Sequence, residues 1–378
     1  MKVLIISRGV PTPQSPLNGI FEWDQAVALS RQGIKVAVMA LDFRNVFAVR
    51  PWGYRRYFKK GIPVFEWSLP TGVYRRALPL LQHWCYALYQ KVEKKWGKPD
   101  ILHAHFYFMG AIASQLPVLT GVPLIHTEHS SKLNKPLDAI SSLDRKLAQK
   151  AYQHAAQVLA VSSSQAAVLT QNFGITPRVV PNVSKCPGVN LFQAKEKVFT
   201  WLTVGRLIAS KGMMSLLHAF KEALAQNPRQ RLWIIGDGPE QENIYRAILA
   251  MDLAKQVTML GALPRFQVLS YMAKAHAFVL LSESETFGLV YVEALAHGLP
   301  VVATDCGGPS DFVQPDNGLL VPVNQVQAAA QAMLHIQGNY DAYNPVQIAA
   351  DTKKRFSFMT IGATLKEIYS NTLLYASC

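Results

Sequence analysis

The 378-residue chain is short of several things, and each shortage removes a class of protein from consideration. It has only four cysteines (Cys85, Cys186, Cys306 and Cys378), far apart and without a CxxC pair or metal-ligand spacing. That excludes a disulfide-stapled or zinc-ribbon scaffold and suits a reducing cytoplasm in which thiols simply pack. No apolar run approaches the ~20 residues that a membrane-spanning helix needs. The opening MKVLIIS is apolar only from Val3 to Ile6, too short for a signal-peptide core, and is expected to be a buried first strand. No GxGxxG fingerprint follows it, which weighs against a nicotinamide-dependent dehydrogenase. Acidic residues number 24 against 38 basic, and no carboxylate cluster accompanies HAH (His103, His105) or HTEH (His126, His129). Neither a metal nor another resident cofactor is therefore expected.

Half the residues are hydrophobic and 16% are charged, so the chain folds, and its length suggests about two domains. The net charge of +14 is unevenly spread. Up to residue 180 there are 22 basic and 9 acidic residues; beyond it the two nearly balance at 16 and 15. Residues 43–98 alone hold 12 basic and 2 acidic groups, interleaved with Trp52, Trp67, Trp84 and Trp96. Such a stretch fits an anionic membrane surface on the cytoplasmic side, and a merely solvated basic face fits it about equally well. Nucleic acid is not expected as a partner, because no helix-turn-helix, RNA-recognition or zinc-finger pattern accompanies the charge.

Short apolar runs alternate with helical periodicity from end to end. Six candidate strands fall at Lys2–Ser7, Lys35–Leu41, Ile101–His105, Pro123–Thr127, Gln157–Val161 and Arg178–Val180. Six more fall at Phe199–Val204, Leu232–Ile235, Val257–Leu260, Ala277–Leu281, Pro300–Ala303 and Gly318–Val321. Helical stretches such as 21–32, 211–226 and 240–250 separate them. This alternation predicts an α/β protein with two doubly wound, Rossmann-like domains of parallel strands. The expected division is an N-terminal domain over residues 1–181, a linker at 182–197 rich in Pro, Gly, Asn and Ser, and a C-terminal domain over 198–357. The final helical segment, 358–378, either caps the second domain or crosses back onto the first. Ligands of such sheets bind beyond the carboxyl ends of the strands, so chemistry is expected in strand-to-helix loops, in a cleft if the domains face one another.

Three loops carry candidates. In SESETFGLVYVEALAHG, a strand leads into a loop and then a helix with Thr286 at or near its N-cap. Free amides around Phe287, Gly288 and Leu289, at the positive end of the helix, would receive a phosphate. Glu285 and Glu293 flank that point, as befits a ligand with hydroxyls at both ends, such as a nucleotide sugar. A hydrolase acid–base pair is an alternative that the intervening glycine fits poorly. In TVGRLIASKG, Arg206 after Gly205, together with Lys211, could neutralise a diphosphate. In PTPQSPLNGIFEW, Asn18-Gly19 before a helix would bring bare backbone close to a ligand. Of the histidines, His129 at a strand end is the one expected to reach ligand, with His103 and His126 in the core.

Together, ETFGLVYVE, GRLIASKG, IGDGPE, HGLPVVAT and NGIFEWDQAVALSRQG resemble the signatures of glycosyltransferase family 4, from residue 1 to about 375. The resemblance implies the GT-B fold, with residues 358–378 crossing back to the first domain, and retaining, metal-independent transfer from a nucleotide-diphosphate sugar. It implies that Arg206 and Lys211 grip the diphosphate with the Gly288 amides, that Glu285 holds the donor sugar and that Glu293 holds the ribose. Gly19 would lie near the diphosphate or the sugar, and His129 would face the donor sugar. A glycan or glycolipid acceptor of the cell envelope is expected, with peripheral membrane docking through the basic first domain. Thr286 and Asn18 stand where many relatives carry glycine. An epimerase or phosphorylase of the same architecture, or a non-catalytic binder of anionic lipid or polysaccharide, are the competing readings.

Overall fold

A computed structural model describes residues 1–44, 47, 50–69, 77–185 and 194–376. Much of the expected 182–197 linker, Cys186, Cys378 and the Arg75-Arg76 pair lie outside the described residues. The chain forms two compact units, Met1–Val183 with Phe358–Cys378, and Ser184–Ser357.

The first unit is built on an eight-stranded sheet. Its strands are β1 (Lys2–Ser7), β2 (Lys35–Asp42), β3 (Gly53–Lys59), β4 (Ile62–Ser68), β5 (Ile101–His105), β6 (Leu124–Glu128), β7 (Gln157–Ala160) and β8 (Arg178–Val179), in the order β3-β4-β2-β1-β5-β6-β7-β8. All neighbours are parallel except β3 and β4. The expectation of six strands is thus corrected by a hairpin at one edge. Lys60 (φ 48°) and Gly61 (φ 78°) make its two-residue turn, the twist that tight hairpins favour.

Strand β1 shows why its sequence is apolar on both faces. Val3 and Ile5 join a core beneath helices 20–31 and 358–376, whereas Leu4 and Ile6 join the opposite core beneath helices 78–96 and 107–113. The last helix packs directly on helix 20–31. A Cβ on Gly362 would stand 2.5 Å from the Ala28 carbonyl oxygen, so only glycine permits this crossing. Ile361, Leu365, Ile368 and Tyr369 are buried there.

Trp67, Trp84 and Trp96 are partly buried against the core, and only Trp52 of that tryptophan set is exposed. Among the described residues, the large aromatics facing solvent in the basic region are Phe47 and, on and beside β3, Trp52, Tyr54 and Phe58. Among the described residues, no helix is long and apolar enough to cross a membrane.

Histidines are unusually concentrated inside this unit. His103 bonds Tyr369 Oη (2.6 Å) through Nδ1 and Thr127 Oγ1 (2.7 Å) through Nε2. It also stacks on His105 at 4.3 Å. Burial, with His126 adding to it, pushes His103 down to about 3. Burial and neighbouring rings likewise hold His105 and His129 well below the ordinary imidazole range. An unfolded chain takes up these protons near pH 6.5 and the folded one does not, so stability is full above that pH and falls as acid is added. The slope is about 1.4 kcal/mol per pH unit for each group. Glu22, raised by burial, works in the opposite sense, but only near and below its own titration. Denaturant melts at pH 7.5 and 5.5 should show a loss of several kcal/mol at the lower pH; equal midpoints would refute the neutral-histidine core.

The second unit has a six-stranded, all-parallel sheet of β9 (Phe199–Val204), β10 (Gln230–Ile235), β11 (Val257–Gly261), β12 (Ala277–Leu280), β13 (Val301–Thr304) and β14 (Gly318–Val321). Its order is β11-β10-β9-β12-β13-β14.

Candidate functional site

In the second unit, strand order runs outward from β9 to β11 and then resumes on the other side of β9 with β12. The loops after β9 and β12 therefore diverge from neighbouring strands, at the switch point where such sheets take ligands. They are also stitched together. Glu283 N donates to Ser210 O at 2.9 Å, and Gly212, at φ 64°, lies so close to Leu281 that a Cβ would stand 1.9 Å from its carbonyl oxygen.

This junction brings Lys211 and Glu285, 74 residues apart in sequence, into an ion pair of 2.5 Å between Nζ and Oε1. Ser282 Oγ donates to the same oxygen at 2.9 Å. The carboxylate is only 9% exposed. Its main chain is fixed from the far side, because Gly308 N donates to Glu285 O (2.9 Å) and Glu285 N to Cys306 O (3.2 Å). Arg206 is exposed and, among the described residues, makes no ion pair. The backbone around it is held nonetheless: Gly205 N donates to Ile235 O (3.0 Å) and Leu207 N to Asp237 O (2.7 Å). The IGDGPE segment lies flat on this loop, since a Cβ on Gly236 or Gly238 would strike Gly205 O or Leu207 O.

The helix that follows β12 spans Leu289–Ala296, and its N-cap is Gly288 at φ 85°, without a side-chain cap. Thr286 thus stands two residues ahead of the cap, near it and not at it. A backbone in the left-handed region selects glycine, and a side chain at 288 would also press on the Tyr291 ring. Phe287 is buried against Phe312 and Phe356, which anchors the turn. Among the described residues, the amides of Phe287, Gly288 and Leu289 donate to no backbone carbonyl. Glu293, on the same helix, is 8% exposed and pairs with the Arg265 guanidinium from helix 265–274. The motif reading of the sequence missed Arg265 and Ser282. Their roles depend on strand order, and only the PR that opens a helix in ALPRFQ hinted at a cation near a loop.

Asn18, Gly19 and His129 gather in the first unit, where β1 and β5 are neighbours and the strand order again reverses. Gly19 (φ 69°) begins helix 20–31, and a Cβ there would stand 2.0 Å from Gly9 O, so the loops after β1 interlock through glycine. His129 Nε2 bonds His105 Nδ1 at 3.0 Å, and its ring stacks on Phe21 at 5.1 Å. Although 6% exposed, His129 lines a cavity of about 520 Å³ together with Arg8, Asn18, Arg44, Phe106 and Lys132. His103 and His126 are fully buried. Beneath Arg8 lies Glu22, fully buried, 3.5 Å from the guanidinium Nε, with its carboxyl raised by burial.

Residues 190–350 match the family described as glycosyl transferases group 1, and residues 23–183 match glycosyltransferase family 4. TuaC of Bacillus subtilis (strain 168), described as a candidate teichuronic acid biosynthesis glycosyltransferase, is 28% identical over 94% of this chain and 96% of its own. Sucrose-phosphate synthase from Thermosynechococcus elongatus superposes with a TM-score of 0.80 at 20% identity, each chain covered in full. Anabaena Alr3699/HepE, in complex with UDP and glucose, superposes with a TM-score of 0.73 at 22% identity over 98% of this chain and 99% of its own. These likenesses define a two-domain GT-B fold.

Proposed function

Given that the chain belongs to the group 1 glycosyltransferases of family 4, we propose that it moves a sugar from a nucleotide-diphosphate donor to an acceptor hydroxyl with retention, and without a metal. The observation that carries this reading is the stitched pair of loops holding Lys211 against Glu285, with exposed Arg206 and free helix-start amides in the same unit. The donor is held by the second unit. Its diphosphate draws on Arg206, Lys211 and the amides of Phe287 to Leu289; Glu285 holds sugar hydroxyls and Glu293 the ribose, oriented by Arg265.

In the transfer, the bond between the anomeric carbon and the diphosphate oxygen breaks and its electron pair stays on that oxygen. The acceptor oxygen bonds to the carbon from the same face, and its proton passes to the departing phosphate. Negative charge grows on the diphosphate throughout. Fixed cations and amides therefore stabilise the transition state more than the ground state, a contribution of several kcal/mol.

A thermal-shift screen of the full chain against UDP-, GDP- and ADP-sugars tests the donor. One nucleotide class should raise the melting temperature, and the same donor should be turned over in EDTA. Donor conversion with no acceptor present would instead favour an epimerase, and binding without turnover over many acceptors a non-catalytic binder. TuaC, together with the basic first domain, supports a cell-envelope glycan, lipid-linked or polymeric, as acceptor. Exposed Tyr54 and Phe58 on cation-rich β3 support docking on an anionic membrane. Protein that stays in the supernatant with anionic liposomes at low salt would dispose of that docking.

A further inference from the structure

The cavity at the switch point of the first unit is one-signed. Its lining holds the cations Arg8, Arg44 and Lys132, the polar Asn18 and Ser130, and no carboxylate. Two carboxylates lie behind it, outside the lining, and offset this charge only in part. Arg44 clamps Asp42 through Nε–Oδ1 (3.0 Å) and a second nitrogen to Oδ2 (2.7 Å), but Arg50 draws on the same carboxylate at 3.3 Å, so one anion serves two guanidiniums. Glu22, the counter-charge of Arg8, is buried beneath it, and burial raises its carboxyl above the ordinary range against the pull of Arg8. Lys132 is exposed and, among the described residues, makes no ion pair.

The cavity is also held open by its own architecture. Arg8 lies flat over the Phe106 ring, its guanidinium carbon 3.8 Å from the centroid. Phe106 is placed there by a backbone at φ 64°, ψ 136°, a conformation that non-glycine residues rarely adopt. One donor on a lining residue, Asn18 Nδ2, is sheltered from water and makes no hydrogen bond, whereas Arg8 Nε faces Glu22. His129 cannot supply a charge, being held neutral by burial and by Arg8. A lining of cations with no carboxylate among them, Lys132 without an ion pair and the Asn18 donor unsatisfied, fits a ligand that brings negative charge and acceptor oxygens.

We propose that this cavity selects an acceptor carrying an anionic group, a phosphate or a carboxylate on the sugar, gripped by Arg8, Arg44 and Lys132. The inference rests on the transferase reading above and adds the acceptor's chemical class. A neutral hexose would bring no charge to Lys132 and the one-signed lining, so discrimination arises from the charge and not from the sugar ring.

The test is calorimetric titration of the full chain with glucose, glucose 6-phosphate and glucuronate. The donor site is first filled by whichever nucleoside diphosphate the thermal screen selects, so that the sugars cannot report on it. At least one anionic sugar should bind about ten-fold more tightly than glucose, and the phosphate and carboxylate arms separate the two sources. Lys132→Glu and Arg44→Gln should each weaken that binding about ten-fold while leaving nucleotide affinity unchanged. Equal affinity for all three sugars, unchanged anion affinity in Lys132→Glu, or no sugar binding beside normal nucleotide binding would each overturn the inference alone. Failure of every nucleotide to bind would remove the transferase reading and the inference with it.

Discussion

Arg206→Ala is expected to lower kcat by about a hundred- to a thousand-fold, the usual cost of removing one preorganised donor to developing charge. Its melting temperature should barely move, because surface residues without partners contribute within about 0.5 kcal/mol. Arg206 is exposed and its loop is held by backbone bonds, Gly205 N to Ile235 O and Leu207 N to Asp237 O, that the substitution leaves alone. Lys211→Ala makes the useful contrast. It should damage turnover comparably, but it also strands the buried Glu285 carboxylate, which keeps the Ser282 hydroxyl as donor but loses its ion pair. Leaving a buried acceptor short costs about 1–3 kcal/mol, so this variant should melt earlier as well. Steady-state kinetics paired with thermal melts separate the two. Turnover of Arg206→Ala within two-fold of the parent would end the diphosphate assignment.

Gly212→Ala should be among the most damaging single methyl groups in the second unit. At φ 64° alanine is strained, and its Cβ would stand 1.9 Å from Leu281 O, a backbone atom that cannot rotate away. The loops after β9 and β12 would have to part, and with them Lys211 from Glu285. A loss of about 3 kcal/mol or more is expected, together with loss of donor binding. Gly261→Ala is the control, since φ is 71° there and nothing lies within 4 Å of a built Cβ. That change should cost only about 1 kcal/mol, the penalty of a left-handed backbone. Similar costs in the two variants would show that the close approach at Gly212 is not what joins the loops.

How much of this was legible beforehand follows from which forces are local. Parallel strands buried on both faces must be apolar, and KVLIIS, FTWLTV and AFVLL announce themselves for that reason. Strand β3 did not, because an edge strand exposed on one face alternates cations with aromatics, and YRRYFK looks like a charge run. Its signal was the Lys60-Gly61 turn before IPVFEW, a two-residue hairpin connection read at first as mere basic sequence. At the site, Glu285, Lys211 and Gly288 were visible because glycine and charge recur in a loop of fixed form. Thr286 marks the neighbourhood of the cap because propensity favours a hydroxyl there, but the cap itself is Gly288, where the backbone turns left-handed. Arg265 and Ser282 could not be named from spacing, because what brings them to Glu293 and Glu285 is tertiary packing. The cavity's charge imbalance depends on β1, β2, β5 and β6 ending side by side, which no linear pattern displays.

The crossing of helix 358–376 over helix 20–31 has a consequence for how the molecule is made. Translation delivers residues 1–183 first, yet the apolar face that Ile361, Leu365, Ile368 and Tyr369 will cover must wait until those residues, made after the whole second unit, leave the ribosome. His103 likewise waits for the Tyr369 hydroxyl. The unit begun first is thus completed only after the second, and a chain that stops before that helix is born with an open seam.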